Sequence, residues 1–427
     1  MLSGVAITIT AQVRVKEVKM SRFTLRKRLA VSTGLIALGI GIAVVAPAQA
    51  QWSMPVKPPA GCGSTASGVP ALALNTAGNF VIAGFFQSGT GLQAFTVQAC
   101  TSYDGVNWSG PSTIGLGIAP AVAIAPNGRA VAIWQGGLAT APNVQASVRL
   151  PGGMWSQPVI VSPHSGHPVI GMDGSGNAVA AWAPLNLTQP VETASLPAGG
   201  KWTAVRTLAA RGGGVNLATN SVGGVIVTWR SAGLIQAASG TVLGGFAAPV
   251  SLGPTGGGLS ALTSPRVALN DAGAASLAWQ GGTRERVVTR TAGGTWSAPT
   301  QLSVNGASGI GTAIDGAGNA IAAFGQLQQT GIPTYVSVRP AGGTWGAPIL
   351  LSALTDKGVG GVVGDAAGTF IVTWTTSTGT VVALTVPPGG GFGPGTAVGR
   401  VPFLNLKIVW GRAVLWTGSG ISSETVN

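Results

Sequence analysis

After residue 50 the sequence repeats a short pattern about every 49 residues. One signature is a Gly-Gly pair followed closely by an aromatic residue, as in Gly199-Gly200-Lys201-Trp202. The aromatic marks of this first signature stand at positions 52, 108, 155, 202, 246, 296, 345 and 392. A repeat of this length made of strand-forming residues is typical of a β-propeller, because the coils of a β-helix are much shorter.

A second signature alternates with the first. It begins with a polar residue and a glycine-containing turn, continues with an apolar run, and ends in an aromatic residue, as from Asp173 to Trp182 and from Asp315 to Phe324. Further copies end at Trp134, Trp229, Trp279 and Trp374, and a degraded copy ends at Trp416. We therefore expect the aromatic residues of both signatures to form a core between the repeats.

Each repeat contains four strand-like segments. In the clearest repeat they are Pro168–Met172, Ala178–Trp182, Val191–Leu196 and Trp202–Leu208, and glycine-rich turns separate the first from the second and the third from the fourth. The strand segments are apolar on both faces, as expected for blades that stack against neighbouring blades. The sequence predicts an all-β propeller of about eight four-stranded blades. Seven is the alternative, because the spacing from 52 to 108 is long and the last copy is degenerate.

The two ends of the repeat region complement each other. The segment from Trp52 to Pro55 resembles a fourth strand without the first three, whereas residues 401–416 supply early strands without a fourth. We expect these two segments to share one composite blade that closes the ring.

Residues 20–50 have the three parts of a secretory signal peptide: a basic stretch, an apolar run from Leu29 to Val45, and the small-x-small site Ala48-Gln49-Ala50. We predict cleavage between Ala50 and Gln51, with an uncleaved anchor helix as the alternative. Met20 is a possible true start, which would make residues 1–19 a mis-assigned extension. Residues 51–427 would then form a propeller domain that is secreted or periplasmic.

The remaining composition excludes several functions. Residues 51–427 carry 16 basic and 9 acidic residues, a formal net charge of +7, with no basic run, so nucleic acid is not an expected partner. Their apolar runs are too short to span a membrane. Cys62 and Cys100 are the only cysteines, and we predict a disulfide between them. We expect no cofactor, and we expect a monomer.

No metal site is predicted. His164 and His167 share one segment and have no acidic or cysteine neighbour in the sequence. Asp173, Asp315 and Asp365 supply one carboxylate per turn, whereas calcium takes six to eight oxygen ligands. These aspartates are expected to accept hydrogen bonds from nearby backbone amides, as in Asx-turns.

One segment carries a family resemblance. Ser102-Tyr103-Asp104-Gly105-Val106-Asn107-Trp108 resembles the Asp-box of sialidase-like (BNR-type) propellers, although it is one residue short between Asp and Gly. Other repeats, such as the one ending at Gly342-Gly343-Thr344-Trp345, resemble eroded boxes. The resemblance implies a propeller fold for nearly all of residues 51–427. It also implies that the box turns lie on one face of the ring, here called the lower face, and the ligand site on the opposite, upper face.

A sialidase of this kind would need three arginines, a tyrosine nucleophile with a glutamate partner, and an aspartate as acid and base. The ligand-binding candidates on the predicted upper face are Arg211, Arg230, Arg284 and Arg400. The other candidates for this chemistry are Asp356, Tyr335, Glu192 and Glu285. No acidic pair follows from their spacing, and the first repeat has no segment that resembles the family's first arginine motif, so no catalytic residue is assigned.

The sequence therefore favours an extracytoplasmic propeller that binds or scaffolds a protein or glycan, which the four arginines suggest is anionic. The alternative is a divergent sialidase-like glycoside hydrolase. The predicted recognition segments are the ones that vary between repeats. They include residues 135–143 and 325–333.

Overall fold

A computed structural model of the chain describes residues 52–425, apart from residues 60, 63–69, 88–94, 139–140, 185–186, 257–263, 304–305, 402, 410–411 and 418–419. The predicted signal segment, with its cleavage site at Ala50 and Gln51, lies outside the described residues. Within the described part all regular structure is β-strand, so it contains no helix that could cross a membrane.

The strands form eight antiparallel sheets that follow one another along the chain. Blade 1 contains β1 (Ala71–Leu74), β2 (Phe80–Gln87), β3 (Phe95–Ser102) and β4 (Trp108–Leu116). Blade 2 contains β5 (Ile118–Ile124), β6 (Ala130–Leu138), β7 (Ala141–Arg149) and β8 (Val159–Ser162). Blade 3 contains β9 (His167–Met172), β10 (Ala178–Ala183), β11 (Val191–Leu196) and β12 (Arg206–Ala209). Blade 4 contains β13 (Gly213–Thr219), β14 (Gly224–Ser231), β15 (Leu234–Thr241), and a fourth strand in two pieces, β16 (Gly245–Phe246) and β17 (Val250–Pro254).

The second half repeats this plan. Blade 5 contains β18 (Arg266–Leu269), β19 (Ala275–Gly281), β20 (Arg284–Arg290) and β21 (Thr300–Gln301). Blade 6 contains β22 (Ala307–Ile314), β23 (Ala320–Gln326), β24 (Thr334–Arg339) and β25 (Ile349–Leu350). Blade 7 contains β26 (Val359–Gly364), β27 (Phe370–Thr375), β28 (Thr380–Val386) and β29 (Thr396–Arg400). Blade 8 contains β30 (Phe403–Val409), β31 (Arg412–Thr417) and β32 (Gly420–Thr425).

The blades form a closed ring. The first strand of every blade contacts the first strand of the next blade, and β30 of blade 8 contacts β1 of blade 1. These first strands therefore surround a central channel. The prediction of an eight-bladed propeller is confirmed, and the seven-bladed alternative is wrong.

The predicted composite blade is also confirmed. Val56 and Ile421 exchange two backbone hydrogen bonds of 2.8 Å, and the amide of Ser53 donates to the carbonyl of Ser423 at 2.7 Å. The N-terminal segment thus lies beside β32 as the outer strand of blade 8. This pairing satisfies backbone groups along the outer edge of β32 that would otherwise be unpaired.

The predicted boundaries of blade 3 agree with the structure for three strands and fail for the fourth. That strand begins at Arg206 and not at Trp202. Just after Trp202, the amide of Thr203 donates a hydrogen bond to the carbonyl of Ser195. Regular pairing with β11 starts only at Arg206, because Trp202 packs against the adjoining core.

The two sets of aromatic residues differ in burial. Trp134, Trp182, Trp229 and Trp279, which end the second signature, are at most 1% exposed and lie between blades. Trp202 and Trp296, from the first signature, are only half-buried at the margins of the same clusters. The expected core role is therefore complete for one set and partial for the other.

Blade 8 departs from the repeat. Leu415 and Ala413 pack against blade 7, in the way that Trp374 packs against blade 6. The aromatic position of the second signature is thus occupied in blade 8 by Leu415, and the assignment of Trp416 to it was wrong by one residue. Strand alternation explains the change, because a shift of one residue turns each side chain to the other face.

Cys62 and Cys100 form the predicted disulfide. Cys100 lies in β3 of blade 1, whereas Cys62 follows the N-terminal segment that completes blade 8. The bond therefore ties together the two blades on either side of the ring closure.

Candidate functional site

In the turns of the lower face, aspartate side chains accept hydrogen bonds from backbone amides of the same turn. Oδ1 of Asp173 accepts hydrogen bonds from the amides of Ser175 (3.0 Å) and Asn177 (2.9 Å), and Asp315 and Asp365 make equivalent bonds to the residue four positions on. These are the expected Asx-type turns. No group of three or more His, Cys, Asp or Glu residues suited to a metal ion occurs among the described residues.

The lower turns also connect one blade to the next. Asn220 donates from Nδ2 to the carbonyl of Asn270, and Asn270 donates from Nδ2 to the carbonyl of Asp315, both at 2.8 Å. Further hydrogen bonds of this kind run from Asn75 to Ala125, from Arg129 to Gly176, from Gly174 to Ser221 and from Gly316 to Ala366. A continuous series of hydrogen bonds therefore links blades 1 to 7 across the lower face.

The segment that resembles an Asp-box is a turn between β3 and β4 on this lower face. Oδ1 of Asp104 accepts from the amides of Val106 (2.8 Å) and Asn107 (2.7 Å), and the indole of Trp108 donates to the carbonyl of Gly105. These hydrogen bonds, first from Asn107 and then from Val106, lower the pKa of the Asp104 carboxyl. Its bonding closes the turn and leaves the carboxylate engaged with its own loop.

The upper face is formed by the connections between second and third strands and between successive blades. These connections differ from blade to blade: blade 4 turns tightly at Ala232 and Gly233, whereas residues 327–333 of blade 6 run beside residues 351–358, with Ile332 bridging to Lys357. Residues 135–143 were expected to form a loop, but most of them extend the β6–β7 hairpin.

The structure separates the four candidate arginines. Arg211 is exposed on the connection between blades 3 and 4, and its carbonyl accepts a hydrogen bond from Ser231, next to Arg230. Arg284 is exposed at the start of β20 and donates to Gln301 at 2.7 Å. Arg400 is exposed at the end of β29, the outermost strand of blade 7. The chain positions of Arg211 and Arg230 are linked by the contact of Ser231 with the Arg211 carbonyl, whereas Arg284 and Arg400 belong to blades 5 and 7.

Arg230 is unlike the other three. It is 2% exposed, and none of its three guanidinium nitrogens has a hydrogen-bond partner among the described residues. The side chain lies over Gly214 of the innermost strand: a Cβ at Gly214 would stand 2.8 Å from Nε of Arg230 and 3.2 Å from the hydroxyl oxygen of Ser264. Gly214 has a φ of +63°, which glycine adopts without strain, and this leaves room for the guanidinium. Burial lowers the pKa of Arg230.

A second polar cluster lies on the upper side of blade 3. Nδ1 of His164 donates to Oε1 of Glu192 at 2.7 Å, and the other oxygen of Glu192 accepts from Trp182 Nε1 (2.9 Å) and Ser162 (3.2 Å). His164 has no acidic neighbour in the sequence, yet the fold gives it one in Glu192. The sequence concealed the pair because the blade brings together residues that are 28 positions apart.

The other sialidase-type candidates do not form the required tyrosine–glutamate pair. The hydroxyl of Tyr335 accepts a hydrogen bond from Gln328, and neither carboxylate oxygen of Glu285 has a hydrogen-bond partner within the described ranges. Burial raises the pKa of Glu285 to about 8. Asp356 is buried and accepts from the amide of Ser377, so it holds the backbone of the upper loops.

Comparison with protein-family models and with curated proteins finds no match. Among solved structures, the chain is similar to the BP39L lectin from Burkholderia pseudomallei, at 14% identity and a TM-score of 0.54 over 77% of this chain and 99% of the lectin. It is also similar to the Dos1 propeller, at 10% identity and a TM-score of 0.55 over 87% and 94% of the two chains. BamB from Moraxella catarrhalis matches at 12% identity and a TM-score of 0.50 over 83% and 96%. At these identities the similarity establishes a shared propeller fold.

Proposed function

We propose that this chain is an extracytoplasmic binding module that holds an acidic partner, a glycan or a protein, at its upper face. The observation that carries the proposal is the buried guanidinium of Arg230, which has no hydrogen-bond partner in the part of the chain that the structure describes. A buried charge without a partner is costly, and a protein usually pairs it or replaces it with an apolar residue. A carboxylate, sulfate or phosphate of a bound partner would supply the missing acceptors.

The difference between the lower and upper faces of the ring supports the same proposal. The lower turns are nearly identical and are occupied by blade-to-blade hydrogen bonds, so they offer little that distinguishes one partner from another. The upper connections vary, as binding loops on a repeated scaffold commonly do. The propeller fold is compatible with binding, since one protein of similar fold is a lectin.

The location outside the cytoplasm rests on two features. The Cys62–Cys100 disulfide is of a kind that persists in oxidising compartments. Residues 20–50 have the composition of a secretory signal peptide.

The proposal is tested by measuring binding to an array of sulfated, carboxylated and neutral glycans, alongside affinity capture of envelope proteins. We expect binding to acidic ligands that falls at least tenfold in Arg230→Met, whose melting temperature is unchanged or higher. Lys201→Gln, which removes an exposed charge from a lower-face turn, is the matched control and should keep wild-type affinity. Binding that ignores ligand charge, or that survives in Arg230→Met, would refute the proposed site.

A second candidate function is supported by the His164–Glu192 pair. A buried carboxylate on Nδ1 fixes the imidazole and leaves Nε2 able to accept or donate a proton, and 57% of the His164 side chain is exposed. This arrangement favours acid–base chemistry of the kind a divergent glycoside hydrolase would use. If the chain is an enzyme, hydrolysis of a fluorogenic glycoside panel by the purified protein should be lost in His164→Gln and retained in Arg284→Gln.

A further inference from the structure

The eight innermost strands carry positive charge and no negative charge. Their sequences contain Arg266 in β18, Lys407 in β30 and His167 at the start of β9, and they contain no Asp or Glu. All three ionisable side chains are exposed although they lie on the strands that surround the channel. Solvent therefore reaches them from the channel, and the channel has a positive potential.

Arg266 and Lys407 occupy the same level of the ring. Arg266 pairs with Ala278, the residue before the buried Trp279, and Lys407 pairs with Val414, the residue before Leu415. Leu415 replaces the aromatic residue in blade 8, so the two pairs are equivalent. The residues at this level in blades 1 to 8 are, in order, Ala71, Ala121, Val169, Asn216, Arg266, Gly311, Gly361 and Lys407.

The two positions between the cations are glycines. Blades 6 and 7 approach so closely here that a Cβ on Gly311 would stand 2.6 Å from Cγ1 of Val362. Because Gly311 and Gly361 have no side chains, nothing projects from the wall at this level between Arg266 and Lys407. Two long cationic side chains therefore face the same stretch of channel.

The two charges are close enough to affect each other. Desolvation lowers the pKa of Lys407, and the charge of Arg266 lowers it further. Desolvation also lowers the pKa of Arg266. Two like charges facing one channel repel each other, and no carboxylate on the innermost strands compensates them. An anion between them would relieve both costs.

We propose that the channel binds a small tetrahedral oxyanion, sulfate or phosphate, either free or as the ester group of a sugar, between Arg266 and Lys407. Both side chains are pure donors: guanidinium presents a planar fork, and ammonium is a compact charge with three hydrogens. A tetrahedral oxyanion has acceptor oxygens on several sides, so it can bind donors that approach from different parts of the wall. A carboxylate presents a single edge and suits this geometry less well.

This site is independent of the proposed function at Arg230. Arg230 lies above this level on blade 4, follows Trp229 in β14, and is buried where Arg266 and Lys407 are exposed. The channel site would remain if the upper face bound nothing acidic.

The test is calorimetric titration of the full chain with inorganic sulfate, inorganic phosphate and glucose 6-sulfate, at constant ionic strength set with sodium chloride. We expect saturable binding of at least one of these anions, reduced tenfold or more in Arg266→Gln and in Lys407→Gln. Lys201→Gln, on a lower-face turn, should bind like the wild type. Binding of the inorganic ions alone would identify a free oxyanion, and binding of glucose 6-sulfate as well would identify a site open to sulfated sugars.

Thermal melting distinguishes loss of anion binding from loss of folding in the two channel variants. If the two cations repel each other in the empty channel, Arg266→Gln and Lys407→Gln should each melt at the wild-type temperature or above it in chloride buffer, and only the wild type should gain thermal stability from the anion. Absence of saturable binding by the wild type, or equal binding by the two channel variants, would overturn the proposal. Loss of anion binding in Arg230→Met, with unchanged binding in Arg266→Gln and Lys407→Gln, would instead assign the anion to the upper face.

Discussion

The lower and upper faces of this propeller are built on different principles. On the lower face, Asn220 and Asn270 satisfy their own turns and also donate to the next blade at 2.8 Å. On the upper side, Arg230 and Glu285 are buried, and their charged groups have no hydrogen-bond partner among the described residues. Polar side chains therefore link the blades from below, whereas two buried charged groups above have their hydrogen-bonding capacity unmet.

The difference separates structural from functional use of polar residues. Buried groups in proteins are nearly always hydrogen-bonded, so charged groups that are wholly unpaired need a reason. Single unpaired atoms also occur on the lower side, at Asp365 Oδ2 and Thr369 Oγ1, but among the buried charged groups of the described residues only those of Arg230 and Glu285 lack a partner on every atom. At the positions of Arg230 and Glu285, other blades have smaller or apolar residues. Glu285 stands where blades 2, 4 and 7 have Val144, Ile235 and Val381. We infer that the repeated polar residues of the lower face serve the structure, and that the residues of the upper face that depart from the repeat serve function.

The largest expected effect concerns which aromatic residues stabilise the ring. Trp229→Ala should lower the free energy of unfolding by about 3–5 kcal/mol, because it empties a fully buried inter-blade position. Trp202→Ala, near the lower turns, should cost less than half as much, since Trp202 is half-buried. Urea denaturation of both variants checks the ratio. Equal losses would mean that the lower face depends on its aromatic residues as much as the core does.

The next effect tests the lower hydrogen bonds directly. Asn220→Ala and Asn270→Ala should each cost about 1–2 kcal/mol, because each leaves a backbone carbonyl of the next blade and an amide of its own turn without a partner. The double variant should lose more than the sum, since the two side chains act in one series. Gln157→Ala, an exposed amide elsewhere, is the control. Additive or negligible losses would refute a connected lower face.

An effect of opposite sign is expected on the upper side. Glu285→Val restores the residue type of the other blades and should raise stability by about 1–3 kcal/mol at pH 8. Because the folded pKa of Glu285 is raised to about 8 from 4.5, the folded state binds the proton more tightly than the unfolded state. The stabilisation from this proton is complete below pH 4.5 and is lost as the pH rises to about 8, by at most about 1.4 kcal/mol per pH unit.

Chemical denaturation at pH 5, 6, 7 and 8 measures this dependence. Glu285→Gln is the matched variant, because it keeps the polar shape and removes the titration. Both variants should flatten the curve, and Glu285→Val should be the more stable of the two. A wild-type curve as flat as that of the variants would show that the carboxyl has a partner.

The lower face could be predicted from the sequence, and most of the upper face could not. The turn at Asp173 is local: the carboxylate and the amides it binds lie within four residues, so composition and spacing identify it. Arg230 is different, since its burial depends on the left-handed conformation of Gly214 and on the bulge between β13 and β14. The His164–Glu192 pair depends on blade geometry. The position of Lys407 along the channel could not be predicted either, because it depends on the shift of one residue at Leu415, which places Lys407 level with Arg266.

The smallest expected effect distinguishes the two kinds of arginine on the upper side. Arg284 is exposed and bonded to Gln301, so Arg284→Gln should change stability by less than about 0.5 kcal/mol. Its influence on an acidic ligand acts through water and is screened by salt, so any loss of affinity should vanish at 0.5 M sodium chloride. The loss in Arg230→Met should persist there, because a buried guanidinium binds its acceptor directly and is screened much less. Affinity for the acidic ligand, measured at low and high salt for both variants, separates direct contact from long-range attraction. An equal salt dependence for the two arginines would place Arg230, like Arg284, outside the contact surface and would remove the main physical difference between the two faces.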